Sequence, residues 1–117
     1  MDSAKTDAGH LWDMLDAAKT VARFVAVKSF RDYDHDRMLR NAVERNMEII
    51  GGAASKVSPA FQNAHPEIPW RGLVIQRNAL VEGDGQVKND KMWVAASEFI
   101  PYLVRILEAL IPDVARM

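Results

Sequence analysis

The chain has 117 residues, 49% hydrophobic and 26% charged, the balance of an ordinary globular domain. With 15 Lys+Arg against 16 Asp+Glu the formal net charge is -1, which argues against wholesale electrostatic capture of nucleic acid or an anionic membrane, though a local basic patch remains compatible with it. The absence of cysteine excludes a disulfide framework, thiolate metal sites and a cysteine nucleophile. The length fits residues 1–117 as one domain with one core. No run of about 18 apolar residues exists, and Met1-Asp2-Ser3-Ala4-Lys5 lacks the apolar stretch of a signal peptide. A soluble cytoplasmic protein with no membrane span is the expectation.

Apolar residues recur at threes and fours between the prolines and glycines, which is the helical period. The first helix spans about Asp7 to Lys28, with Leu11, Leu15, Ala18, Ala22 and Val25 on one stripe and Thr6 or Asp7 as N-cap. Ser29 to Asp36 is polar and rich in capping residues, and reads as a loop. A second helix runs from about Asp36 to Val57, with Leu39, Val43, Met47, Ile50 and Ala54 inward. Gly51-Gly52 falls inside it, each glycine costing about 1 kcal/mol relative to alanine, so a kink or the close approach of another helix is expected there. Ser58-Pro59 opens a short helix to about Asn63, and Pro69 starts a third main helix to about Val81. Residues 82–88 carry two glycines and form the clearest loop.

The last helix, about Asn89 to Val114, places Met92, Ala96, Phe99, Leu103, Ile106 and Leu110 along a seam of alternating fours and threes. Pro101 interrupts it, bending the helix or freeing a carbonyl. No strand-like alternation of useful length occurs. The expected fold is all-α, an antiparallel bundle of four main helices plus a short one. Trp12, Met14 and Trp93 lie off or beside the stripes, so either a homodimer covers a second apolar face or the stripes are broad.

Residues 44–82 are more particular. Glu44-Arg45-Asn46-Met47-Glu48-Ile49-Ile50-Gly51, then Pro66-Glu67-Ile68-Pro69-Trp70-Arg71, then Arg77-Asn78-Ala79-Leu80 resemble the HepT-like toxins, a branch of the HEPN superfamily. Order, intervals and the proline midway along the final helix match too, over about Leu11 to Leu110. The resemblance implies a small helical protein that dimerises. In active members it is a metal-independent ribonuclease needing no cofactor, the toxin of a two-gene toxin–antitoxin module. The partner it implies is an MNT-type minimal nucleotidyltransferase, the antitoxin, which in some systems adenylylates a tyrosine of the toxin. The family's motif in this branch is Arg-Asn-x-Leu-x-His-x-Tyr, two copies of which meet across the dimer to make one RNA-cleaving site. Carried over, the arginine falls on Arg77, the asparagine on Asn78 and the leucine on Leu80. The histidine position holds Glu82 and the tyrosine position Asp84.

Both departures bear on the chemistry. A metal-free ribonuclease needs a group to take the 2′-hydroxyl proton and one to protonate the leaving oxygen, and histidine titrates in the useful range. Arginine stays protonated and stabilises the charge growing on the phosphate. A glutamate with an ordinary pKa of about 4.3 is a weak base and, as an anion, repels the phosphate. Losing acid–base help is worth about a hundred- to ten-thousand-fold in rate. Asp84 has no hydroxyl to adenylylate, and the only tyrosines, Tyr33 and Tyr102, are remote from the motif in sequence. His10, His35 and His65 all precede Arg77. The expectation is a HEPN domain of weak or no ribonuclease activity that binds RNA, its nucleotidyltransferase partner, or both. The alternatives are an active RNase using Glu82 or a histidine such as His65, and a non-enzymatic dimeric scaffold.

Plainer roles compete for several of these residues. Arg77 could pair with Glu48 and merely join two helices. Asp32, Asp34, His35 and Asp36 read as helix caps rather than a metal cluster. Trp12, Trp70 and Trp93 read as core or interface rather than base-stacking platforms. Lys28, Arg31, Arg37 and Arg40 form a basic cluster that the adjacent aspartates largely cancel.

Overall fold

The computed structural model describes residues 6–82 and 88–115, with side chains as far as Ile111. Helix α1 spans Asp7–Val25, and the Thr6 hydroxyl accepts from the Gly9 N–H at its start. It ends three residues before the expected Lys28, where the Lys28 N–H turns back to the Val25 carbonyl at 3.0 Å. Leu11, Leu15, Ala18 and Val25 are buried as the stripe requires, and so is Met14, which the pattern had set beside it.

The segment expected as a loop is instead a short helix, α2, Phe30–His35. A reciprocal cap explains the difference: the Ser29 hydroxyl accepts from the Asp32 N–H at 3.1 Å, and the Asp32 carboxylate accepts from the Ser29 N–H at 2.9 Å. Two of the turn's free donors are thereby satisfied, which stabilises a helix too short to hold by propensity alone. Helix α3 follows at Arg37–Ala54, capped by Asp36 on the Leu39 N–H at 3.0 Å. Val43, Met47, Ile50 and Ala54 are buried, and Leu39 packs at the edge of the core.

Helix α4, Pro59–Ala64, has Ser58 as N-cap and proline in its first turn. Ser58 is held from afar, because the Asp7 carboxylate accepts from its N–H at 2.8 Å and from its hydroxyl at 2.6 Å. That contact fastens the start of α1 to the start of α4. Helix α5 covers Trp70–Glu82. The Trp70 indole N–H donates to the His65 carbonyl at 3.0 Å, which fixes the entry into α5.

The last rod has three parts: α6 at Asn89–Val94, a wide π turn at Ala95–Phe99, and α7 at Ile100–Ala115. The Ile100 N–H reaches back five residues to the Ala95 carbonyl, and the Ser97 hydroxyl donates to the Trp93 carbonyl at 2.7 Å. The π turn stands just ahead of Pro101, whose ring and missing N–H disfavour a regular turn. It also corrects the seam. The buried positions are Met92, Ala96, Ile100, Leu103, Leu107 and Ile111, while Phe99, Ile106 and Leu110 only flank the core. The extra residue in the turn moves the inward positions one place along the chain at three points.

All described elements are helical, in an antiparallel bundle of four main rods with two short helices. Helix α1 lies between α3 and α7, α5 packs on α3, and α2 bridges α3 and α6. One apolar core runs through them, capped by Tyr33 from α2 and Trp70 from α5. Trp93 lies partly buried 5.6 Å from the Tyr33 ring, whereas Trp12 is half exposed and so is no core residue.

Candidate functional site

Arg77 owes its position to Gly51. A Cβ at Gly51 would overlap the Arg77 Cβ and come within 2.5 Å of the Leu73 carbonyl oxygen. Helices α3 and α5 therefore approach so closely that only glycine fits between them. Of the two expectations for Gly51-Gly52, the close approach is the one realised: α3 continues unbroken to Ala54, and Gly52 meets nothing within 4 Å. The Arg77 stem lies across Gly51, and its guanidinium Nη1 donates to Asn78 Oδ1 at 3.0 Å.

Arg77 is thus not held by Glu48. The Glu48 carboxylate instead accepts from Arg45, one turn earlier on α3, at 3.3 Å. Because Gly51 and Glu44 are seven residues apart, they share one side of α3, about 10 Å apart along its axis. Burial lifts the Glu44 carboxyl above the usual carboxylate range, against the pull of Arg40 and with a push from Glu48. The Tyr33 hydroxyl is fully buried nearby and has no hydrogen-bond partner among the described residues. Burial and the Glu44 charge push that hydroxyl further from ionising. The sequence places Glu44 in the segment that carries the family resemblance but does not reveal its relation to Tyr33, since the two are eleven positions apart on different helices.

Glu82 is the last residue of α5 and is exposed. Five residues along an α-helix turn it about 140° from Arg77 and set it about 7.5 Å further on. This is the same spacing that the family motif gives its arginine and histidine. Asp84 lies outside the described residues. Of the histidines, His10 is buried in α1, and His35 Nδ1 lies 2.9 Å from the Arg31 carbonyl on α2. His65 precedes α5 and pairs through Nδ1 with Glu67 at 3.1 Å, its ring stacked 4.4 Å from Phe61. It stands at the opposite end of α5 from Glu82. The hydrogen bond to His65 and a backbone hydrogen bond of Glu67 itself, the larger effect, hold that carboxyl below its ordinary range.

Two members of the acidic cluster are caps, whereas Asp34 accepts from the Asn89 amide. Asp32 bonds the Ser29 N–H, which is the main cause of its lowered pKa, and Asp36 bonds the Leu39 N–H. No group of three or more acidic or imidazole side chains suited to a metal occurs among the described residues. No described helix is long and apolar enough to cross a membrane.

Comparison with known proteins places this geometry in context. A family model described as "Ribonuclease HepT-like" matches residues 14–110. A protein of Thermococcus cleftensis named "Probable ribonuclease HepT" is 33% identical over 101 residues, covering 86% of this chain and 92% of that one. Two proteins of Methanocaldococcus jannaschii, named as candidate RNases, are 26% and 29% identical. The alignments cover 89% and 84% of this chain, and 86% and 90% of those proteins, respectively. No solved structure gives a match.

Proposed function

Because the chain belongs to the HepT-like ribonuclease family, we propose that it is an RNA-directed member with little or no cleavage activity. It acts by binding RNA or a nucleotidyltransferase partner within a toxin–antitoxin module. The observation that carries this reading is Glu82, a carboxylate at the motif's histidine position. Arg77 keeps the ability to hold a phosphate, and Asn78 orients it. Among the described residues no histidine is hydrogen-bonded to Arg77. With Asp84 in the tyrosine position, adenylylation there has no hydroxyl to act on.

A homodimer belongs to the same proposal. Helix α5 packs chiefly on α3, and its Ile75 and Val81 are 56% and 54% exposed. A second copy laid against α5 would cover these side chains and bring two Arg77 residues to one surface.

The test is cleavage of total cellular RNA, tRNA included, by wild type, Arg77→Ala, and the Glu82→His plus Asp84→Tyr double variant. Wild type is expected to leave the RNA intact and the double variant to cut it. Efficient cleavage by wild type, lost in Arg77→Ala, would overturn the disarmed-site reading.

A further inference from the structure

The basic cluster around α2 looks neutralised in sequence, because Asp32, Asp34 and Asp36 alternate with its cations. The structure gives each carboxylate a hydrogen-bond partner other than a cation, while the Asp32 charge still feels Lys28 and Arg31. Asp32 is turned onto the Ser29 N–H at 2.9 Å, Asp36 onto the Leu39 N–H at 3.0 Å, and Asp34 onto the Asn89 amide at 2.9 Å. Each carboxylate thus spends its hydrogen bonding on holding a helix end or joining α2 to α6. Arg40 is likewise committed, its Nη1 donating to the Asp34 carbonyl at 2.6 Å and the Tyr33 carbonyl at 3.3 Å. That leaves Lys28, Arg31 and Arg37, all exposed and none in an ion pair among the described residues.

Two partly exposed aromatic rings flank these cations in the chain. Phe30 is the first residue of α2, between Ser29 and Arg31, and is 39% exposed; Phe24, on the last turn of α1, is 37% exposed. Spread cations interleaved with half-open rings suit a polyanion that carries its own planar groups. Single-stranded nucleic acid has both, phosphates for the cations and unpaired bases for the rings. A duplex hides its base faces, and an acidic peptide has none. The location fits as well. The Asp34–Asn89 hydrogen bond joins α2 to the start of α6, the helix that follows α5, so this face lies at the end of the bundle where α5 finishes with Glu82.

We propose that the face around α2, with Lys28, Arg31 and Arg37 as phosphate contacts and Phe30 and Phe24 as stacking platforms, binds single-stranded RNA and leads it to the Arg77 helix. This rests on the RNA-directed reading above and adds the surface that holds the strand. Affinity comes chiefly from released counterions, so binding weakens steeply with salt.

The experiment is fluorescence anisotropy of a labelled single-stranded RNA 12-mer of mixed sequence, titrated at several salt concentrations. The proteins are wild type, the triple variant Lys28→Ala/Arg31→Ala/Arg37→Ala, Phe30→Ala, Arg77→Ala and the control Arg105→Ala. Circular dichroism checks that each is folded. The triple variant is expected to lower the slope of log K against log salt by about 2, at about 0.7 per lost phosphate contact. Phe30→Ala should weaken binding about fivefold or more while leaving the slope unchanged. Arg105→Ala should change neither. A triple variant with the wild-type slope overturns the inference alone, provided wild type binds and Arg77→Ala weakens it. Wild type that fails to bind the RNA at low salt overturns the inference and the RNA-directed reading together. An oligoglutamate peptide of matched charge that binds as tightly as the RNA also overturns it, and assigns the face to an acidic protein.

Discussion

Gly51 and Gly52 are neighbours in one helix, yet alanine should have opposite effects at the two positions. Each exchange gains about 1 kcal/mol of helix propensity. At Gly52 the new methyl meets nothing within 4 Å, so the gain is kept. At Gly51 it overlaps the Arg77 Cβ and stands 2.5 Å from the Leu73 carbonyl oxygen. Neither obstacle is the free end of a side chain, so α5 itself has to move. Overpacking of this kind costs about 1–3 kcal/mol, and the backbone contact puts Gly51→Ala at the upper end. The expected result is a net loss near 2 kcal/mol for Gly51→Ala and a separation of about 3 kcal/mol between the variants. For a chain of this size that corresponds to roughly 10 °C in midpoint temperature. Urea and thermal unfolding followed by circular dichroism measure it. Equal stabilities for the two variants would refute the claim that α3 and α5 meet at Gly51, and with it the account of how Arg77 is placed.

Three other outcomes follow from the same structure. Tyr33→Phe removes a buried hydroxyl with no partner among the described residues. It should raise stability by about 1 kcal/mol in urea unfolding, and a loss of that size would reveal a bound water or another acceptor. Asp7→Ala cuts both hydrogen bonds to Ser58 and should cost about 2 kcal/mol, while Ser58→Ala in that background should cost only the α4 cap on the Phe61 N–H, about 1 kcal/mol, in a double-mutant cycle. Glu44 has a raised folded pKa, so the fold binds its proton more tightly than the unfolded chain does. Its protonated form favours the fold at low pH, and that advantage disappears as pH rises through the folded pKa. Glu44→Gln should therefore be more stable than wild type at pH 7 and lose that lead below about pH 4. A lead independent of pH would refute the assignment.

Much of the bundle is legible because burial follows period. Leu11, Val43, Met47 and Ile50 are inside, as their spacing demands. The errors have local causes. Ser29 to Asp36 looks like a loop because polar residues dominate, yet the same residues make the reciprocal cap that forms α2. The seam of the last helix drifts by one residue because a single wide turn is invisible to a regular period. The motif identifies Arg77 and Asn78, and the structure pairs them. The sequence marks Gly51-Gly52 as a kink or a close approach, but not that Gly51 meets α5 at Arg77, and it does not carry the hydrogen bonds of Asp32, Asp34 and Asp36, which depend on backbone N–H groups and Asn89 rather than on side-chain alternation.

The π turn at Ala95–Phe99 bears on how relatives of different length are to be superposed. Glu98 lies exposed within it, and Ile100 to Ile111 hold the core immediately after it. Shortening the chain by Glu98 would let Met92, Ala96, Ile100, Leu103 and Leu107 fall onto an ordinary helical repeat without losing an inward contact. The same deletion would place the Pro101 ring against the carbonyl of a regular turn, a clash worth about 3 kcal/mol. The additional residue and the proline are thus matched as a pair. A lineage shedding one of them would be expected to shed the other, so a one-residue gap near position 98 and a non-proline at position 101 belong together in any alignment.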